Sequence, residues 1–259
     1  MQYDNHNQTT YYNESLANMA INAGLRSFMI GVYNNMAMGL IVSALSAMFI
    51  YNMSVTTSSA EAAVWLRSFG LTSFGYTLFA SKLRFVVIFS PLVFILIMNA
   101  VSDKMSVAGA RLMFLAFAAI MGVSLSTVLM VYTHSSVTQT FFTTAAAFGS
   151  LSLWAYTTKK DMSGWGSFLF MGLIGLIIAM IVNLFLASSA MQFAISGAGV
   201  LIFAGLTAYD TQKLKTMYLY GNFNPEQAAR VAIYGALNLY LDFINMFQFL
   251  LYFMGSSRD

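Results

Sequence analysis

Cysteine is absent from this chain of 259 residues, and charged residues make up only 8% of it. Without cysteine there is no disulfide framework, no thiolate metal site and no cysteine nucleophile. Soluble domains carry roughly 25% charged residues, whereas 59% of the residues here are hydrophobic, so too few polar side chains exist to coat a water-soluble globule. The composition therefore predicts an integral membrane protein in contact with the lipid bilayer.

Charges are missing from five long stretches of the chain apart from one acid in the last, and these stretches delimit the predicted membrane spans: 27–60, 85–102, 112–158, 162–209 and 231–254. A charge in the middle of a bilayer costs several kcal/mol, and one span needs ~20 apolar residues. The third and fourth stretches are long enough for two spans each, with breaks expected at 134–136 and 187–189. The sequence therefore predicts an all-α bundle of seven transmembrane helices.

The remaining residues flank or interrupt this bundle. Residues 1–26 form a polar N-terminal tail without the basic start and short apolar core of a signal peptide, 27–254 form the membrane domain, and 255–259 form a short C-terminal tail. Residues 61–84 mix aromatic side chains with Arg67, Lys82 and Arg84. We interpret them as an interfacial amphipathic segment, with a re-entrant crossing as the alternative.

The twelve Lys and Arg residues are spread along the chain without a basic run, so no nucleic-acid partner is predicted. With seven spans, eight of them lie on the side of the N-terminus: Arg26, Lys104, Arg111, Lys159, Lys160, Lys213, Lys215 and Arg230. Basic residues favour the cytoplasmic side, so a cytoplasmic N-terminus is expected. If the last segment only dips into the membrane, the alternative is six spans with both ends on one side.

Asp242 lies near the centre of the last apolar stretch, and an intramembrane carboxylate indicates a functional site by default. Helical spacing places it on one face with Gly235, Asn238, Asn245 and Phe249. That face carries one acid and two amides and is expected to point into the bundle, with Asn238 and Asn245 as candidate pore-lining residues. The alternative is a protonated carboxyl that hydrogen-bonds to amides of neighbouring helices and serves only packing.

Asp210 ends the sixth predicted span, where Lys213 lies one turn further on and could pair with it. Asn224 and Pro225 are a typical helix start for the last span. At 1.5 Å per residue, Asp210 would lie about 16 Å below Gly221 and Asp242 about 25 Å below Pro225. A symmetric hairpin would therefore offset the two acids by roughly 9 Å, and their contact would need a stagger, a kink or an early helix end.

The enzyme classes that the sequence could suggest find little support. The string GVSLS at residues 122–126 is not the nucleophile-elbow pattern, and neither histidine lies where it could serve as an intramembrane base. We therefore expect no enzyme activity and no cofactor.

Four strings together resemble the transmembrane Bax-inhibitor-motif family, bacterial branch: MGVSLS at 121–126, TTKKDMS at 157–163, GLTAYDTQK at 205–213 and LYLDFIN at 239–245. The similarity extends over residues 33–254. It implies a seven-helix fold with a central last helix, in a bacterial inner membrane. It also implies a pH-dependent calcium leak, with Ca²⁺ as the transported ion, gated by two aspartates that share a hydrogen bond and map onto Asp210 and Asp242.

The family's closed state also uses a basic latch residue, for which Lys104 and Arg111 are the candidates here. Some bacterial relatives instead modulate a membrane-bound ATP-dependent protease, which gives a second hypothesis: an integral-membrane regulator with a protease partner. A channel would depend on Asp210 and Asp242, whereas a regulator would depend on exposed surfaces such as residues 1–25. A proton-coupled transporter is a third option, but no feature of the sequence names a substrate.

Overall fold

The computed structural model describes residues 3–66, 69–101 and 105–258, and of residues 3–18 and 20 the backbone alone. The elements follow in this order: α1 Tyr3–Ser54, β1 Val55–Thr56, β2 Val64–Leu66, β3 Phe69–Leu71, α2 Ser73–Gly75, a π-helical turn Tyr76–Ala80, α3 Leu83–Val101, α4 Val107–Val131, α5 His134–Thr157, α6 Trp165–Leu186, α7 Ser189–Tyr220 and α8 Pro225–Met254. This all-α arrangement confirms the predicted polytopic fold.

Six of the described helices are long and apolar enough to cross a membrane: α1 from Ile21 onward, α3, α4, α6, α7 and α8. The 24-residue α5 is long enough but rich in hydroxyl side chains. Thr138, Thr143 and Thr144 each donate a hydrogen bond to the carbonyl four residues earlier, which satisfies their hydroxyls within the helix. The seventh span therefore rests on α5 and stays a prediction.

The helix ends follow from local capping. Asn224 caps α8 through a reciprocal pair of hydrogen bonds with Gln227, and Pro225 opens the helix as predicted. The break between α6 and α7 lies where the sequence placed it, with Ala187 in the left-handed region at φ 49°. The break between α4 and α5 comes earlier than the predicted 134–136, because the Thr133 side chain caps α5 and lets the helix begin at His134.

The last helix is the centre of the bundle. In the most apolar 18-residue segment of α8, more than half of the residues are buried, whereas in the other candidate spans the buried share is a third or less. It packs against α7, α1, α5 and α4, and the fully buried Tyr240 meets the rings of Phe114 and Phe117 edge-on. This arrangement confirms the predicted central C-terminal helix.

The connection between α1 and α3 differs from the interpretation as a simple amphipathic segment. It contains a three-stranded antiparallel sheet in the order β1-β3-β2, in which Gly70 pairs with both Thr56 and Trp65. Valine, threonine and tryptophan favour a pleated, half-exposed surface, and that preference is satisfied here by strand pairing. Trp65 is exposed, while Arg67 lies outside the described residues.

Residues 255–258, here called the C-terminal strap, fold back onto the turn between α4 and α5. The Ser256 carbonyl accepts a hydrogen bond from the Thr133 backbone N–H at 3.1 Å, and the Arg258 backbone N–H donates to the Val131 carbonyl at 2.8 Å. The Ser256 backbone N–H also donates to the Ser136 hydroxyl at 2.9 Å. The strap therefore joins the end of α8 to the α4–α5 turn.

Candidate functional site

Asp242 lies in the middle of α8 and is 5% exposed. Its Oδ2 atom is buried without a hydrogen-bond partner among the described residues. A buried polar atom that makes no hydrogen bond costs free energy, so its presence calls for a reason other than stability. Asp242, which the sequence singled out, is thus a buried acid with one oxygen that makes no hydrogen bond to any described residue.

Asp210, on α7, is partly buried and lies near enough to Asp242 for the two carboxyl groups to interact electrostatically. Lys213 lies one turn further along the same helix and interacts electrostatically with the Asp210 carboxyl. The Lys213 ammonium also lies 5.9 Å from the centre of the Tyr209 ring, outside the bundle core. The two acids that the sequence singled out thus lie on neighbouring helices, with Lys213 one turn from Asp210. The Oδ2 atom of Asp242 makes no hydrogen bond to Asp210, so the shared hydrogen bond that the resemblance implies is not seen at this atom.

A stagger between α7 and α8 makes this approach geometrically feasible. The Leu214 side chain occupies the space beside Gly235 where a Cβ atom would otherwise lie, which places the two residues at about the same level. From that level Asp210 lies about 6 Å along α7 and Asp242 about 10.5 Å along α8, an offset of about 4.5 Å at 1.5 Å per residue. The stagger halves the offset of a symmetric hairpin.

The two amides on the last helix occupy different environments. The partly buried Asn245 donates from Nδ2 to the Leu241 carbonyl at 2.8 Å, whereas Asn238 is exposed. Both lie on one accessible stripe of α8 whose neighbours are mostly buried: Val231, Tyr234, Asn238, Leu241, Asn245, Gln248 and Tyr252. We call this the α8 stripe. It runs beside Asp242, so amide groups line the accessible surface next to the buried acid.

A hydroxyl cluster beside Asp210 was not anticipated from the sequence. Thr211, fully buried, donates to the Ser152 hydroxyl at 3.4 Å, and the Tyr33 hydroxyl lies close to both. These residues come from α7, α5 and α1. The position of Thr211 directly after Asp210 was the only available signal, because no pattern in the sequence links Tyr33 to Ser152.

Two of the strings behind the family resemblance touch each other in the structure. Gln212, from the α7 string, accepts from the Met162 backbone N–H at 2.7 Å and donates to the Lys160 carbonyl at 2.6 Å. In the same loop Ser163 donates from its backbone N–H and its hydroxyl to Asp161, which lowers the pKa of that exposed carboxyl. The loop before α6 is thus fixed to the helix that carries Asp210.

A resident metal site would need more donors than the acids supply. Within the described part of the chain, no three His, Asp or Glu side chains converge, so the charged donors are two carboxylates. Of the latch candidates, Arg111 is exposed on α4 and Lys104 lies outside the described residues. The arrangement offers oxygen atoms to a cation without enclosing it.

The comparisons with known proteins cover nearly the whole chain. A family model described as "Inhibitor of apoptosis-promoting Bax1" matches residues 25–259. An uncharacterized protein of Caulobacter vibrioides is 46% identical over 245 residues, 94% of each chain. An uncharacterized protein of Rickettsia prowazekii is 39% identical over 93% of this chain and 94% of its own. The inner membrane protein YbhL of Escherichia coli is 37% identical over 91% of this chain and 94% of its own.

Proposed function

The chain belongs to the Bax-inhibitor family of multi-pass integral membrane proteins, and from this premise we propose that it is a pH-sensitive calcium leak channel gated by Asp210 and Asp242. The observation that carries the proposal is the buried Asp242 oxygen without a partner, next to a second carboxyl on the neighbouring helix. Interhelical hydrogen bonds that serve only packing are usually made by uncharged polar side chains, and they do not need two acids.

Gating would follow from the cost of holding two negative charges together. Two carboxylates in a site of low dielectric cannot both ionise cheaply, so a single proton is shared between them. In the proposed closed state that proton ties α7 to α8. Its loss at higher pH leaves two like charges, whose repulsion separates the helices, so we expect alkaline conditions to open the channel.

The proposed ion path runs along the α8 stripe. Ca²⁺ prefers carboxylate and carbonyl oxygens, and Asn238 and Asn245 offer amide oxygens beside the acid pair. With two carboxylates and neutral oxygens, binding would be weak enough for the ion to leave again, as conduction requires. Ca²⁺ is thus the transported ion rather than a cofactor.

We further propose that the protein lies in a bacterial inner membrane with its N-terminus in the cytoplasm. The relative YbhL is named an inner membrane protein. The excess of basic residues on the N-terminal side supports the orientation.

The test is dye-reported Ca²⁺ entry into proteoliposomes across about pH 5 to 8, because a pair that shares a proton should respond to pH as one unit. Wild-type flux should increase with pH. Asp210→Asn and Asp242→Asn should each shift or abolish that dependence, and the double variant should add little to the more severe single change because one pair is broken in each case.

Asp161→Asn is the matched control. Because Ser163 lowers the pKa of the exposed Asp161 carboxyl, that group stays ionised throughout the assay and should not contribute to the pH profile. If both pair variants keep the wild-type profile, Asp210 and Asp242 are not the gate. If the wild type passes no Ca²⁺ at any pH, the channel proposal fails and the regulator of a membrane-bound protease becomes the leading alternative.

A further inference from the structure

A cavity of about 550 Å³ lies between α1, α4, α5 and α8, and its lining includes neither Asp210 nor Asp242. Its volume is in the range of ~300 to 1,000 Å³ typical of small-molecule pockets. Most of its wall is aliphatic or aromatic, including Leu40, Ala44, Leu125 and Phe247. The buried Ser43 in this wall already bonds to the Ala118 carbonyl and the Tyr240 hydroxyl, so the wall offers little to a polar ligand.

Apart from Ser43, the polar lining residues gather at one end of the cavity, which we call the mouth: Tyr51, Asn52, His134 and Thr138. They lie at the end of α1 and the start of α5, next to the C-terminal strap. Arg258 reaches this mouth from the strap, donating from Nη1 to the Tyr51 hydroxyl at 2.7 Å with its guanidinium 5.6 Å from the Tyr51 ring centre. The His134 ring meets the same tyrosine edge-on at 5.5 Å.

The length of the cavity matches one leaflet of a bilayer. Its lining on α1 extends from Leu40 to Asn52, about 18 Å at 1.5 Å per residue. Half of a hydrocarbon core of ~30 Å is about 15 Å. An acyl chain that entered from the mouth would therefore extend along the apolar wall for about the length of one leaflet.

We propose that this cavity binds one acyl chain of an anionic phospholipid, with the headgroup phosphate held at the mouth by Arg258. An apolar wall alone cannot select a lipid, because lipid tails are as apolar as leucine and gain nothing by moving from bilayer to pocket. Selection must come from the headgroup. A guanidinium carries five N–H donors in a fork that fits phosphate oxygens, and Tyr51 uses one of them.

Among the described residues, the lining includes no aspartate or glutamate, which favours a negative headgroup at the mouth. A zwitterionic phospholipid brings its own cation next to Arg258 and would bind less well. The charged mouth thus predicts a preference for net negative lipids over zwitterionic lipids with the same acyl chains.

Native mass spectrometry of the full chain, purified and equilibrated with equal amounts of phosphatidylglycerol and phosphatidylcholine, tests this directly. We expect one retained phosphatidylglycerol and several-fold less phosphatidylcholine. Arg258→Gln should bring the ratio close to one, and Arg258→Lys should keep most of the preference because the positive charge remains. Equal retention of the two lipids by the wild type, or an unchanged preference in Arg258→Gln, would overturn the proposal.

Ala44 lines the cavity and has little side chain of its own, so Ala44→Phe should fill the space and remove the retained lipid. The matched control is Ala190→Phe, an exposed position on α7 at the same end of the bundle. Retention by Ala44→Phe at the wild-type level would contradict the assigned pocket, as would equal loss in both variants.

Because Ala44→Phe could also disturb folding, a smaller change gives an independent reading. The chain has no native cysteine, so Ala44→Cys introduces a single thiol into the cavity wall. Phosphatidylglycerol should slow its reaction with a small maleimide several-fold, whereas phosphatidylcholine should not, and Ala190→Cys should be unaffected by either lipid. Equal labelling rates at Ala44→Cys with both lipids would overturn the proposal.

Discussion

Ser43 and Tyr240 share a buried hydrogen bond at 2.6 Å in which the two partners are not equivalent. Ser43 has a single hydroxyl hydrogen and lies within hydrogen-bond distance of the Ala118 and Gly39 carbonyls, so we expect Tyr240 to be the donor. Ser43→Ala leaves the fully buried Tyr240 donor without a partner, at a cost of about 1–3 kcal/mol. Tyr240→Phe removes the donor itself and should cost less, about 1 kcal/mol.

Thermal unfolding of the purified variants checks this order. The double variant should be close to Ser43→Ala alone or more stable, because it leaves no stranded donor. A larger loss in Tyr240→Phe than in Ser43→Ala would show that Ser43 donates to Tyr240 instead.

Substitution of Asp242 is expected to affect stability and activity differently. Replacing a buried acid that has an unpartnered oxygen by a well-packed apolar side chain is often neutral or stabilising. We therefore expect Asp242→Leu to fold and insert at least as well as the wild type, with an equal or higher unfolding temperature, and to lose the pH-dependent flux. A clearly lower yield of folded protein with unchanged flux would favour the packing role.

At the level of elements, α1 and α4 approach each other closely at Gly122. A Cβ atom there would lie 2.9 Å from the Ser43 Cα atom, a contact with backbone that cannot move aside. Gly122→Ala should therefore destabilise the protein by about 1–3 kcal/mol through overpacking. Gly175, on α6, has nothing within 4 Å of the same position.

Gly175→Ala is the matched control for this effect. It should raise stability by about 0.5–1 kcal/mol, because alanine loses less backbone entropy in a helix. The two substitutions should shift the unfolding temperature in opposite directions. A shift of the same sign and size would mean that the α1–α4 contact does not constrain the bundle.

Most helix boundaries could be predicted because they depend on local chemistry. Absence of charge delimits the membrane segments, and Asn224 with Pro225 starts α8 by hydrogen bonds within a single turn. The small sheet between α1 and α3 was missed because its strands of two or three residues are defined only by pairing with one another. A mixture of aromatic and basic residues carries no information about such pairing.

The sequence singles out the residues of the candidate site, which stay a prediction, but it does not determine their geometry. Asp210 and Asp242 stand out because carboxylates are costly in lipid. Their approach depends on the Leu214 side chain fitting beside Gly235, a tertiary contact that sets the stagger of α7 and α8. Likewise, helical spacing grouped Asn238 with Asp242, but the packing of neighbouring helices leaves Asn238 exposed while it buries Asp242.

At the scale of the whole molecule, the number of crossings depends on α5. Ser135 is an exposed residue in the first turn of this helix, Ser163 is an exposed residue in the loop after it, and the chain has no native cysteine to interfere with labelling. If α5 crosses, a membrane-impermeant maleimide applied to intact cells should label Ser135→Cys and reach Ser163→Cys only after the membrane is opened. Labelling of both from one side would reduce the count to six.

The central position of α8 has a consequence for how the protein is made. The helices that surround it, α1, α4, α5 and α7, all precede it in the chain and leave the ribosome first. α8 is also the least apolar of the six candidate spans and carries Asp242, so lipid alone is a poor destination for it. We therefore expect α8 to enter the membrane by packing against helices that were inserted before it. The central helix of the bundle would then be the last to be placed.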